Sequence, residues 1–429
     1  MPENRPIRVI LSSGVGRIHT IECAVSLLDA GVDVRVVTGW VPSRGMEPLA
    51  RVAGNLLGRP NLDRRLKARL AGGKLPRHRI RTCGIAEGIS QAGTRLADTG
   101  LLPYCTTDRL TWQLFGFASR RHLRSADIFH VRSGAGQGGA IATAKRRGMK
   151  VVVDHSIAHP AEMERTLAPI YAELGLPFRM GPNSPFWQLV VQDCVDADLV
   201  LVNSDYVRDS FLAAGFPPAK IMTLYWGVRD DFLNAKRCFD VSRPARLLFT
   251  GAFGLRKGAR EIAQACKLLD ERGVPYELLV AGNFAEGRPV VDAMGLRGTV
   301  RYLGMLLQDE LRDYLATSDL YVFPTHAEGS ARSAFEAMAA GLPVITTREC
   351  GLPLRHGEDG WLVPRGDAPA LADSIERLLA NQPLREALGR TAQDRVADHF
   401  RWSDYAAKLK DIYRELLGIA DGGLPHQHE

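Results

Sequence analysis

Glu328 and Glu336 stand in the stretch Tyr321 to Ile345, YVFPTHAEGSARSAFEAMAAGLPVI, with seven residues between them. The apolar run Leu320 to Phe323 reads as a strand, and His326, Glu328, Gly329 and Ser330 fall in the loop after it. The next segment predicts a helix capped by Ser333, with Glu336 in its first turn and Gly341 as its stop. Such a helix N-terminus offers unpaired N–H groups and the positive end of a dipole, which suits a phosphate or a polar sugar. A purely structural loop has little reason to hold one acid outside that terminus and another just inside it.

Three further groups could share that chemistry. Thr250 to Gly258, TGAFGLRKG, is a glycine-rich loop carrying Arg256 and Lys257, and cations there suit a diphosphate whose charge grows as it departs. The run DHSIAHP sets His155 and His159 at the end of an apolar strand, where ligands of open parallel sheets bind. Gly14-Val15-Gly16 forms a tight turn after the first strand and lets backbone approach a ligand closely. Each feature has a plain structural use: a salt bridge, dipole compensation, a loop hydrogen bond, a turn. Together they suggest diphosphate-sugar chemistry. A metal site is not expected, because no cysteine or third histidine lies near the pair at ligand spacing. Asp196-Ala-Asp198 precedes a strand instead of following one, so helix-end and turn capping is the expected use.

The elements that must position these groups alternate. Strands are predicted at Ile7 to Leu11, Val34 to Val37, Ile128 to Val131, Val151 to Val153, Leu199 to Val202 and Ile221 to Leu224, with helices between them. The pattern restarts at Leu247 to Phe249 and runs through Leu278 to Val280, Val300 to Leu303 and Leu320 to Phe323. This is the signature of two doubly wound α/β domains. The expected boundaries are 1–236 for the first, with an insertion at 42–110 that interrupts the alternation, and 237–400 for the second. A C-terminal helix over 401–420 is expected to pack back toward the first domain, and the tail 421–429 to fray.

The chain is long enough for two or three domains, and its 45% hydrophobic and 24% charged residues are ordinary for a soluble globular protein. No apolar run reaches a membrane-spanning length, and the opening MPENRPIRVILSS lacks a signal-peptide core. Seven scattered cysteines without CxxC spacing read as reduced thiols of a cytoplasmic protein. The net charge of +7 is uneven: Arg51 to Ser125 holds 15 Lys/Arg against 4 Asp/Glu. Leu62, Leu66 and Leu70 are spaced for an amphipathic helix over Asn61 to Leu70 with a basic face, so contact with a membrane surface through 51–125 is expected. Nucleic acid is not an expected partner, since the block has few aromatics and no nucleic-acid-binding motif.

At this point the residues resemble a known family. FTGAFGLRKG, LLVAGN, DLYVFPTHAEGSARSAFEAMAAGLPVITT and GEDGWLVPRGD in the second half resemble glycosyltransferase family 4, the retaining transferases of the GT-B fold. The first half resembles it more weakly, through the Gly14 to Gly16 turn, DHSIAHP, ADLVLVNSDYV and YWGVRDDF. The resemblance implies two Rossmann-like doubly wound parallel-sheet domains facing a central cleft. It implies a metal-independent transfer of sugar, with retention, from a nucleotide-diphosphate sugar (UDP or GDP) to a glycan, lipid-linked or small-molecule acceptor. No cofactor beyond the donor is implied. The expected setting is polysaccharide or glycoconjugate biosynthesis at the inner face of the plasma membrane.

The implied roles follow the motif. Glu336 would bind the donor ribose and Glu328 the donor sugar, while backbone N–H groups of Gly329, Ser330, Ala331 and Arg332 would hold sugar hydroxyls. Lys257 and Arg256 would meet the diphosphate, beside the glycines Gly251 and Gly282. Gly14 and Gly16 would approach it from the other domain. His155 or His159 would contact the sugar, and Leu303 and Gly304 lie where the base rests. The chain departs from the family pattern at Ala252, Arg229 and Ser333. An epimerase or phosphorylase on the same scaffold, or a non-catalytic glycan-binding member, stays open as an alternative.

Overall fold

The computed structural model describes residues 5–15, 20–41, 75–98, 104–236 and 238–419. Gly16, the Asn61 to Leu70 segment and the tail 421–429 lie outside them. The described residues form two sheets with helices between the strands.

The first sheet has seven strands: β1 (Arg8–Ser12), β2 (Asp33–Thr38), β3 (Ile80–Thr82), β4 (Ile128–Arg132), β5 (Lys150–His155), β6 (Leu199–Val202) and β7 (Ile221–Thr223). Their order is β3-β2-β1-β4-β5-β6-β7, and β1 runs parallel to both β2 and β4. The second sheet has six: β8 (Ala245–Thr250), β9 (Tyr276–Ala281), β10 (Thr299–Gly304), β11 (Leu320–Phe323), β12 (Val344–Thr346) and β13 (Trp361–Leu362). Their order is β10-β9-β8-β11-β12-β13, and neighbouring strands run parallel. Both are doubly wound, as the alternating pattern predicts.

A parallel strand covered by helices on both faces must be apolar throughout. β11 obeys this: Leu320, Tyr321, Val322 and Phe323 are all buried, and Phe323 stacks on Phe249 of β8 at 5.2 Å. Ala334, Ala337, Ala339 and Ala340 of the helix Arg332–Ala340 are buried in the same core, their small side chains allowing close helix–sheet approach.

Two compact units emerge. One contains Met1–His155, Asn183–Leu201 and Tyr405–Glu429; the other contains Ser156–Pro182 and Val202–Asp404. Within the first, the last helix (Trp402–Leu416) is tied down by the Tyr413 hydroxyl, 2.6 Å from His130 Nδ1, and by Lys410, which donates to the Ala30 carbonyl at 2.8 Å.

One expectation about this unit needs correcting. The alternation is not interrupted throughout 42–110. The described part of that segment contains β3 and the helix Gly84–Asp98, which extend the sheet by one strand and one helix. β3 has only three residues and follows a basic turn, too short for a periodic signal.

Candidate active site

The second sheet reverses its winding between β8 and β11. Ligands of open α/β sheets bind at such a switch point, beyond the carboxyl ends of the strands. The loops after these two strands carry Arg256–Lys257 and His326–Glu328.

Local structure sets both loops. After β8 the chain makes one 3-10 turn, Leu255–Lys257, and leaves it through Gly258 at φ +83°. A Cβ on Gly258 would collide with the Pro324 carbonyl, so glycine is required by both conformation and space. The Arg256 carbonyl accepts the His326 N–H at 2.9 Å and the Thr325 hydroxyl at 3.0 Å. The two loops are thus sewn together at the backbone. We expect Gly258→Ala to destabilise the protein by about 2 kcal/mol or more in urea unfolding; unchanged stability would show that the seam yields.

The side chains converge on Glu328. Arg256 pairs with its Oε1 and donates to the Ala327 carbonyl at 2.6 Å, while Lys257 Nζ lies 3.1 Å from the same carboxylate oxygen. Only 14% of the Glu328 side chain is exposed. Burial pushes its pKa up, but Arg256 and Lys257 outweigh burial and hold it at about 2. Lys257 Nζ also sits 5.0 Å from the Phe323 ring centroid and close over Gly251. Two cations and one carboxylate leave this cluster with a net positive charge, the correct sign for a diphosphate.

Beneath it, His326 Nε2 is 3.0 Å from Glu261 Oε2, with both side chains almost fully buried, and Glu261 continues to Arg260 at 3.1 Å. This contact braces the loop from the N-terminal turn of the helix Ala259–Glu271.

The 328–331 segment is fixed on its other side. Glu328 N–H donates to the Glu349 carbonyl and Ala331 N–H to the Cys350 carbonyl, both at 3.0 Å. Ser204 donates its hydroxyl to the Gly329 carbonyl. A Cβ on Gly329 would strike the Ser156 carbonyl. Of the four N–H groups expected to hold sugar hydroxyls, that of Ala331 is therefore already paired within the protein, with the Cys350 carbonyl. Ser330 Oγ is buried with no hydrogen-bond partner among the described residues, which leaves a donor and an acceptor there for a ligand.

The helix after this loop also differs from expectation. It spans Arg332–Ala340, its cap is Ala331, and Ser333 lies inside it. Ser333 instead donates to the Thr250 carbonyl at 3.1 Å and accepts from the Tyr321 hydroxyl at 2.9 Å, tying the helix to β8 and β11. Glu336 is the fifth helical residue, not part of the first turn, and pairs with Arg332 at 3.5 Å. The stop is as expected: Gly341 is left-handed at φ +81° and its N–H satisfies the helix end.

Three glycines close the neighbouring strand ends. Gly251 N–H donates to the Ala281 carbonyl at 2.8 Å, and Gly282 N–H to the Gly304 carbonyl at 2.7 Å. Gly282, at φ +121°, packs against Gly251 with no room for a Cβ. Leu303, half-buried, completes that edge in β10.

The two histidines part company. His159 belongs to the second unit, where its Nδ1 accepts the Ala161 N–H at 3.2 Å and caps the helix Pro160–Glu173. Its ring stands edge-on to Phe211 and Phe216, and burial lowers its pKa. His155 belongs to the first unit, fully buried at the end of β5 with Nδ1 2.9 Å from Ser133 Oγ.

In that unit the switch point falls between β1 and β4. Gly14 (φ +69°) packs on Trp112 in the turn after β1. Arg132 ends β4, where Ser12, Thr20, Cys23, His130 and Asp154 join it around a small cavity. Burial lowers the Arg132 pKa to about 10 even though Asp154 opposes the shift. Sequence reasoning missed Arg132, because a lone cation after a short strand carries no motif. Asp196 and Asp198 serve structure: Asp198 accepts the Val151 N–H at 2.7 Å, and Asp196 accepts from Gln192 at 2.9 Å.

Residues 13–232 match the profile of Glycosyltransferase Family 4, and residues 244–381 match Glycosyl transferases group 1. The chain belongs to glycosyltransferase family 4. Among curated family members it is 28% identical, over 230 residues, to the amylovoran biosynthesis glycosyltransferase AmsK of Erwinia amylovora, covering 51% of this chain and 56% of that protein. The chain thus spans about half the length of the curated relatives it matches. Among solved structures, sucrose-phosphate synthase from Thermosynechococcus elongatus superposes with a TM-score of 0.69 at 20% identity, covering 96% of this chain and 100% of that one. HepE of Anabaena, solved with UDP-glucose, gives 0.58 at 15% identity, covering 96% of this chain and 99% of that one. These likenesses establish the GT-B fold for this family 4 chain.

Proposed function

We propose that this protein is a retaining, metal-independent glycosyltransferase that moves a sugar from a nucleotide-diphosphate sugar to a glycan or lipid-linked acceptor in polysaccharide biosynthesis. The observation that carries this reading is the convergence of Arg256 and Lys257 on buried Glu328 at the switch point of the second sheet.

The donor diphosphate would take the positive side of that cluster. As the bond from the anomeric carbon to the diphosphate breaks, its electron pair leaves on the phosphate oxygen. Arg256 and Lys257 stabilise that growing charge, the service a divalent ion performs elsewhere. The acceptor oxygen then bonds to the oxocarbenium-like carbon on the face the diphosphate leaves, and its proton departs with the leaving group. Glu328, ionised at neutral pH, suits the developing positive charge on the sugar. Ser330 Oγ fits a sugar hydroxyl, since it is buried and unsatisfied among the described residues. Glu336, partly buried one turn beyond Arg332, suits the paired hydroxyls of a ribose.

UDP sugars are the first donors to test, because HepE binds UDP-glucose. AmsK, a polysaccharide-building transferase by name, supports the pathway class. We expect one of the UDP, GDP, ADP or dTDP sugars to raise the melting temperature. Glu336→Ala should weaken that nucleotide's binding by about tenfold to a hundredfold. Failure of every nucleotide sugar to stabilise the protein, or full affinity in Glu336→Ala, would reject this site.

A further inference from the structure

We propose that the first unit binds one anionic group, a phosphate or a carboxylate, carried by the acceptor. The site is the small cavity at the switch point of the first sheet, where Ser12 ends β1 and Arg132 ends β4. The anion site follows from the geometry of this unit alone. Its assignment to the acceptor rests on the transferase reading, which gives the donor diphosphate to Arg256 and Lys257.

Arg132 is a cation without a pair. Its Cζ lies 5.2 Å from the centroid of the Trp112 ring, and among the described residues it makes no hydrogen bond or ion pair. Trp112 is itself fixed, since Gly14 and Gly134 both pack on it. Asp154 is near enough to act on Arg132 but does not pair with it, and His130 Nε2 faces that carboxylate at 3.9 Å. Burial has stripped Arg132 of hydration, as its lowered pKa records. A desolvated charge is unfavourable until a partner reaches it, so an anion entering this cavity recovers what burial cost.

Other groups turn toward the same cavity. Ser12 is 3% exposed, and its Oγ has no hydrogen-bond partner among the described residues. It offers a donor to an oxygen of the anion. Thr20 and Cys23, one turn apart, line the cavity and open the helix Thr20–Asp29. The unpaired N–H groups of that first turn and the positive end of the helix dipole therefore lie beside it. Burial, and then Asp154, pushes the Cys23 thiol well up, so it stays neutral and does not repel an anion. Asp154 is the one carboxylate of the lining, against Arg132, the helix end and the Ser12 hydroxyl. That balance admits a single anionic group, whereas a diphosphate would set its second charge against Asp154.

The test is isothermal titration of the full chain with inorganic phosphate, with glucuronate and with glucose, in the absence of nucleotide. Phosphate stands for an acceptor that carries a phosphate, glucuronate for one that carries a carboxylate, and glucose is the neutral control. One of the two anions should bind, and glucose should not. Arg132→Met, which keeps a stem against Trp112, should weaken that anion by about tenfold or more. Ser12→Ala should weaken it by about threefold and leave the melting temperature unchanged or raised, since no bond within the protein is lost. Lys257→Ala should bind the anion as the parent does. The proposal fails if neither anion binds, if glucose binds as tightly, or if Arg132→Met retains the parent's affinity. It also fails if Lys257→Ala loses the anion, or if Arg132→Met loses a nucleotide sugar together with it, because the anion would then occupy the donor's place. Failure of every nucleotide sugar to bind would instead reject the transferase reading and leave the anion titrations standing.

Discussion

Lys257→Ala should lower turnover by about a hundredfold to a thousandfold, the cost of removing one fixed charge from a site where anionic charge develops. Lys257 is suited to that role because its position is over-determined. Its amine lies 3.1 Å from Glu328, 5.0 Å from the Phe323 ring centroid and close over the Gly251 backbone. It needs no reorganisation when charge appears. The variant should still fold, since Arg256 remains paired with Glu328 and bonded to the Ala327 carbonyl. Steady-state kinetics with the nucleotide sugar that stabilises the protein would measure the effect. A fall in the catalytic constant with little change in nucleotide affinity is the expected pattern. Turnover equal to that of the parent would remove Lys257 from the reaction.

Glu328→Gln should change both the stability of the protein and its dependence on acid. The Glu328 pKa is held at about 2 against an ordinary value of 4.5. A depressed carboxylate pKa contributes stability that is fully present above the ordinary value and is lost as pH falls through the folded one. The difference corresponds to about 3 kcal/mol. Urea unfolding should therefore show the variant less stable by about that amount at pH 7, where Arg256 and Lys257 lose their counter-charge. The gap should narrow below pH 4.5 and close toward pH 2, as the parent's carboxylate becomes neutral too. A gap that stays constant with pH, or a variant more stable than the parent, would mean that the ion cluster does not hold the loop.

Both expectations depend on which parts of the site are local in the chain. β6 and β11 occupy the very residues that their apolar runs indicate, because a strand buried on both faces must be apolar throughout. Gly341 ends its helix and Ser204 caps its own, accepting the Val207 N–H at 3.3 Å. Both signals act within one turn. Ser333 was equally plausible as a cap, yet it serves Thr250 and Tyr321, residues 83 and 12 positions away. Once those partners capture its hydroxyl, the helix begins one residue before it and Glu336 falls beyond the first turn.

The histidines show the same limit. His155 and His159 are four residues apart and were indistinguishable by spacing. One ends a strand of the first unit beside Ser133, and the other caps a helix of the second among phenylalanines.

The sequence by itself determined the two doubly wound halves, the strand-end loops, and the family motif with its glutamates and cations. These follow from short-range periodicity, turn chemistry and residue type. Only the tertiary structure decided that Arg256 and Lys257 close on Glu328, that Glu261 braces His326, and that the Ala331 N–H is spent on Cys350. Arg256 and Glu328 are 72 positions apart along the chain. Contacts at that separation exist only after β8 and β11 pair, and their strength depends on a burial that no local pattern reports.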